Sequence, residues 1–152
     1  MRNGRQLCQD ILDSAKQVID YAAPSFVESA DFLARSTDRS EETMATFHEG
    51  RMIMPFTGQA HEFASNGIAD AVLYRLCVIG EATGDLQDYD STQIVQAGFG
   101  DMMPTLSAFR RMRDLLIHQH WKVDLEIVWN TVETDIPTLH KRVALLYPHF
   151  AN

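Results

Sequence analysis

The stretch "RRMRDLLIHQHW", residues 110–121, sets Arg113, Asp114 and His118 into a segment that otherwise repeats apolar side chains at helical spacing. A guanidinium is a permanent cation whose fork of donors fits an oxyanion, and an imidazole is the side chain that exchanges protons near neutral pH. Together they are the equipment for acid–base chemistry at an anionic group. On one ideal helix, residues five apart stand about 140° around the axis and about 7.5 Å along it, so Arg113 and His118 do not converge on a single atom. A second copy of the helix, crossing the first about a twofold axis, would line one cleft with both arginines and both histidines, and isologous dimers are the commonest source of such symmetry. Asp114 is placed differently: four residues before His118, it shares that residue's face and the two side chains can meet. The spacing also allows a bland reading, in which Arg-x4-His is a chance pattern and Asp114 with His118 an ordinary surface pair.

These residues need elements to hold them, and the chain supplies helices. Leu7, Ile11, Leu12, Ala15, Val18 and Ile19 recur at helical spacing with polar residues between them, predicting an amphipathic helix over about 5–22. Pro24 interrupts it, and Ser25 with Glu28 has capping-box spacing for a second, short helix carrying Phe26, Ala30 and Leu33. Asn66 can cap a long helix through about residue 84, with Ile68, Val72, Leu76 and Ile79 on one side. Gly80 within it weakens the helix by up to about 1 kcal/mol against alanine, which is sensible where its missing side chain lets another helix approach. Residues 85–101 read as a loop with one helical turn around Ile94. A helix from Pro104 to about His120 follows, packed through Leu106, Phe109, Met112, Leu116 and Ile117. Neither Arg113 nor His118 belongs to these apolar stripes. Asp124 then caps a helix that keeps its period to Leu146, kinked or restarted at Pro137 with Thr134 or Asp135 as the new cap. No hairpin signal or sustained alternation is present, so the prediction is an all-α, up-and-down helical bundle.

The chain has 152 residues, 45% of them hydrophobic, with no composition shift that marks a linker, and this predicts one domain over residues 1–152. Residues 36–64 are less regular and read as a partly ordered insertion, whose Met52, Met54 and Phe56 fit covering the core better than meeting a partner. His48 and His61 there have no metal-ligand spacing and read as solvated, and no metal or cofactor is expected. A formal net charge of −8 and a pI of about 5.1 argue against a broad electrostatic grip on nucleic acid, so any such contact is local. Cys8 and Cys77 lie in apolar patterns and read as buried free thiols. With no signal-like start and no apolar run of about 18 residues, a soluble, cytoplasmic protein is expected, without membrane contact.

The stretches "LYRLCVIGEA", "RMRDLLIHQHWKVDLEIVWNTVETDIPTL" and the opening "DILDSAKQVIDY" together resemble the HepT-like branch of the HEPN proteins, the toxin partners of small MNT nucleotidyltransferase antitoxins. The resemblance is loose over the first 35 residues and close over 68–146, with Arg113-x4-His118 followed by "VDLEIVWNTVETDIP" as its most specific part. It implies a metal-independent endoribonuclease whose active site forms at the interface of a homodimer. On that reading Arg113 clamps the phosphate. His118 takes a proton from a ribose 2′-hydroxyl or gives one to the leaving 5′-oxygen, and a cyclic 2′,3′-phosphate is the product.

Glu81 in "IGEA" also matches the family and can orient Arg113 from the neighbouring helix if the two pack through Gly80. Trp121 is a candidate for stacking on an RNA base, whereas the helical period puts Trp129 in the core and Tyr147 at its edge. Two residues depart from the family pattern. His120 stands where a tyrosine is common, the residue on which the nucleotidyltransferase places adenylate, so neutralisation at that position is in question. Asp114 stands where asparagine is frequent and adds negative charge beside the presumed base. These departures, with the acidic net charge, support an alternative reading: a catalytically silent HEPN dimer that serves as a scaffold for a nucleotidyltransferase.

Overall fold

A computed structural model describes residues 2–35, 46–48, 51–53, 68–119 and 123–151. Its elements in chain order are helix α1 (Gly4–Arg35), strands β1 (Thr46–His48) and β2 (Arg51–Ile53), and helices α2 (Ile68–Tyr89) and α3 (Ser91–Gln96). A 3-10 turn (Gly100–Met102) leads into α4 (Met103–His118), and α5 (Leu125–Asn130) runs through a π-helical turn (Thr131–Asp135) into α6 (Ile136–Leu146). The two strands form a small antiparallel hairpin, with Thr46 opposite Ile53 and His48 opposite Arg51. Among the described residues the other regular elements are all helical, as the periodicity predicts. Asn66 and most of the segment read as an insertion lie outside the described residues.

The buried stripes are those that the spacing singles out, except that Ile117, read as packing, is exposed near the end of α4. Leu7, Ile11, Ala15 and Val18 of α1 meet Val72, Leu76, Ile79 and Leu86 of α2, Leu106 and Phe109 of α4, and Ile136, Leu139, Val143 and Leu146 of α6. Contacts at the helix ends give the directions. Arg2 reaches Glu81 and Asp85, Arg5 donates to the Phe150 carbonyl, and Gln87 donates to Ser107, so α1 and α2, α1 and α6, and α2 and α4 are each antiparallel. Trp129 is buried and Tyr147 half-buried beneath the Arg5 guanidinium, 4.2 Å from its ring centroid.

Three local expectations change. The first helix does not stop at Pro24 but continues to Arg35. A proline removes one i→i−4 hydrogen bond and leaves those on either side intact. The second helix runs past Gly84 to Tyr89, because Leu86 still has a place in the core, and 91–96 form a further short helix around buried Ile94. That helix ends in a Schellman pair, Gly98 N–H to Val95 and Phe99 N–H to Ile94, for which Gly98 takes φ +87°. Before Pro137 the α-helix restarts at Ile136 with Asp135, one of the two expected caps, at the N-cap position, but without a side-chain cap hydrogen bond. Pro137 cannot donate to the Glu133 carbonyl, and the ladder widens into the π turn just before it. Asp124 caps as expected, its carboxylate accepting the Glu126 N–H at 2.9 Å.

Candidate functional site

Arg113 sits in the seam between α2 and α4, contrary to the expectation that it lies outside the packing stripes. A Cβ placed on Gly80 would collide with the Cβ of Arg113 and come within 2.8 Å of the Phe109 carbonyl oxygen. One turn along, a Cβ on Gly84 would meet Arg110 Cδ at 3.3 Å. Gly80 therefore lets the α4 backbone approach α2 closely, as its sequence context predicts, and the residue pressed against it is Arg113. With Cβ and Cγ held there, the guanidinium emerges at the rim, with 33% of the side chain exposed. Nη1 donates to Asp114 Oδ1 at 2.8 Å, while Nε is buried without a partner.

Asp114 thus turns toward Arg113 and not toward His118. His118 is the last residue of α4, exposed, with Leu115 and Ile117 beside it also partly exposed. Among the described residues no hydrogen bond or ion pair holds the imidazole. Its place at a helix C-terminus puts the negative end of the backbone dipoles beneath it. Glu81 is exposed and lies 3.6 Å from Arg2 Nη2, so its partner is Arg2, just before α1, and not Arg113. His120 and Trp121 fall outside the described residues, and Trp129 is core.

Two neighbours emerge only with the fold. Arg110, one turn before Arg113 on the same helix, pairs with Asp88 Oδ1 at 2.7 Å; that hydrogen bond and charge raise its pKa further, with Asp114 and Asp85 adding to the effect. Its i−3 spacing from Arg113 was the available signal. Cys77 lies on α2 one turn before Gly80, a free half-buried thiol pushed up by burial and drawn down by the charge of Arg113. Cys8 is also free and fully buried. Among the described residues no three His, Cys, Asp or Glu side chains are grouped to hold a metal ion, and no helix is long and apolar enough to cross a membrane. A cavity of about 280 Å³ between α4 and the π turn is lined by Pro104, Ala108, Phe109, Met112, Thr131 and Asp135, and includes neither Arg113 nor His118.

The arrangement offers a fixed cation at a surface seam and, one and a half turns on, a free imidazole. Comparison with known proteins gives this a context. Residues 50–146 match the model of the family described as "Ribonuclease HepT-like", beginning inside the segment read as an insertion. Over 71 residues the chain is 35% identical to a protein of Thermococcus cleftensis named "Probable ribonuclease HepT", covering 45% of this chain and 56% of that one. Over 81 residues it is 32% identical to a protein of Methanocaldococcus jannaschii named as a gamma-glutamylcyclotransferase and candidate RNase, covering 53% of this chain and 33% of that one. The matches thus span about a third and just over half of these relatives. No solved structure matches the chain. With Arg113-x4-His118 on its fourth helix and a family match over well more than half its residues, the chain belongs to the HepT-like ribonuclease family of the HEPN superfamily.

Proposed function

We propose that the protein is a metal-independent endoribonuclease, the toxin of a HEPN/MNT pair, which cleaves RNA at a composite site between two copies of the chain. The observation that carries this reading is the separation of the two groups. Arg113 is anchored in the α2–α4 seam and His118 stands free at the helix end, about 7.5 Å further along. One chain does not bring both to one phosphate, whereas a twofold-related copy supplies the second set, with exposed Leu115 and Ile117 available to the contact.

The chemistry follows from the residue types. Imidazole at His118 removes the ribose 2′-hydroxyl proton as O2′ forms its bond to phosphorus. Arg113 pairs with the phosphate oxygens that gain charge, and the P–O5′ bond breaks as an imidazolium, His118 of the second copy, delivers a proton to O5′. The products are a 2′,3′-cyclic phosphate and a 5′-hydroxyl. A nucleotidyltransferase antitoxin is the proposed partner, acting by covering the site, since residue 120 is histidine.

One observation favours the second reading, a silent dimer that scaffolds the nucleotidyltransferase: Asp114 already occupies the Arg113 guanidinium. Incubating purified protein with total RNA in EDTA separates the two. The enzyme cleaves and His118→Ala does not. A wild type that leaves RNA intact, or a His118→Ala variant that still cleaves it, overturns the proposal.

A further inference from the structure

We propose that Tyr74, backed by Arg75, is a stacking platform that holds a base of the RNA strand beside His118; the inference rests on the ribonuclease reading and deepens it by naming a positioning residue. Tyr74 is 63% exposed on α2, a large aromatic side chain left open to solvent. The Arg75 guanidinium carbon stands 5.3 Å from its ring centroid, within cation–π range.

Its height in the bundle is set by the packing. Gly80 faces Arg113 and α2 runs antiparallel to α4. Tyr74 lies six residues before Gly80, about 9 Å along α2, and His118 five residues after Arg113, about 7.5 Å along α4, in the same direction. The two therefore stand at nearly one level. Helical geometry also turns them onto one side: Tyr74 is about 120° around α2 from Gly80 and His118 about 140° around α4 from Arg113. In antiparallel helices those rotations lead to the same outer face. The Arg110–Asp88 ion pair, built from residues turned the same way on each helix, shows that this face is shared.

Tyr74 and His118 so flank the seam on one face, where helical geometry also turns exposed Asp114 and half-buried Cys77. A strand whose ribose meets His118 would carry a neighbouring base over Tyr74 of the same copy. The chain is acidic, so a broad cationic surface does not hold the strand; base stacking on an aromatic face is the affinity that does not depend on net charge. Any of the four bases has a π-face, so the platform orients the strand without selecting sequence.

The test uses the full chain in EDTA and 2′-O-methyl oligonucleotides, which lack the nucleophilic hydroxyl and stay intact. Binding is read by fluorescence anisotropy, and oligomeric state by sedimentation. Tyr74→Ala should weaken binding about five- to tenfold, while Tyr74→Phe stays within about twofold because the ring remains. An oligonucleotide with abasic residues should bind wild type and Tyr74→Ala alike. Unchanged affinity in Tyr74→Ala, equal losses in the Ala and Phe variants, or dissociation of the oligomer by Tyr74→Ala would each overturn the platform, the last by making the ring an interchain contact. If wild type cleaves RNA under these outcomes, only the platform falls; if wild type neither binds nor cleaves, the ribonuclease reading falls with it.

Discussion

Gly80 and Arg113 are in direct backbone-to-stem contact: a methyl group at 80 would occupy the space of the Arg113 Cβ and crowd the Phe109 carbonyl oxygen at 2.8 Å. A main-chain atom does not yield as a side-chain tip does, so the two helices must part. Gly80→Ala gains up to about 1 kcal/mol of helix propensity but loses about 1–3 kcal/mol to overpacking. The expected result is a net loss of stability in urea unfolding, together with reduced RNA cleavage as Arg113 is displaced. At Gly84 the nearest atom is Arg110 Cδ at 3.3 Å, on a flexible side chain. Gly84→Ala should therefore be neutral or up to about 1 kcal/mol stabilising. An unchanged or raised stability in Gly80→Ala would show that the seam is loose there, and an equal loss in Gly84→Ala would show that the Arg110 side chain cannot yield.

The two candidate catalytic residues should separate in their effect on folding. His118 is exposed and terminal, so His118→Ala should abolish cleavage with a stability change within about 0.5 kcal/mol. Arg113 contributes its stem to the α2–α4 seam, and Arg113→Ala should abolish cleavage while also losing about 1 kcal/mol of packing. Circular dichroism during urea unfolding, run beside the cleavage assay, checks both. A destabilised His118→Ala variant would mean that the helix end is more tightly held than its exposure indicates.

What could be read before folding was whatever depends on periodicity. Leu7, Ile11 and Val18, or Leu106 and Phe109, are apolar at helical spacing and are buried. The close approach at Gly80 followed from a glycine inside an apolar helix. The errors came where a local signal competed with a tertiary one. Pro24 reads as a stop, yet α1 runs through it, and the polar residues after Gly84 hid the place that the core keeps for Leu86. The end of α3 was in principle legible, since "QAGFG" carries a glycine where a Schellman cap needs it. In the site, spacing shows which residues share a face but not which rotamer wins. Asp114 can reach i+4 or i−1, and it takes Arg113. Glu81 is drawn to Arg2, a residue 79 positions away that no helical pattern reveals.

Asp114→Asn tests what that choice does. An exposed ion pair is worth about 1 kcal/mol at most, so removing the carboxylate charge should free the guanidinium for phosphate and lower the apparent KM for RNA by up to about fivefold. The asparagine keeps the shape and an acceptor oxygen, so kcat should hold. Because both groups are partly exposed, at 33% and 51%, the gain should shrink as salt rises and the Debye length shortens. A raised KM at low salt would instead make Asp114 the residue that holds Arg113 in its working position.

Cys8 should make folding sensitive to alkaline pH. Its side chain is fully buried in α1, and burial, with the charge of Asp90 adding to it, pushes the thiol from 9.0 to about 12. In the unfolded chain the thiol ionises near its ordinary value, so between about pH 9 and 12 the native state holds more protons than the unfolded one. The contribution is complete below that window and is lost across it, with stability falling by up to about 1.4 kcal/mol per pH unit. Tyrosines and lysines titrate in the same range, which makes the informative quantity the difference between wild type and Cys8→Ala. The variant should be less stable at pH 8 by about 1 kcal/mol, from the lost sulfur in a packed core. By pH 10.5 the gap should close or reverse, because alanine has no proton to retain. Urea unfolding at the two pH values measures both numbers, and two curves that stay parallel would place Cys8 in contact with water in the folded protein.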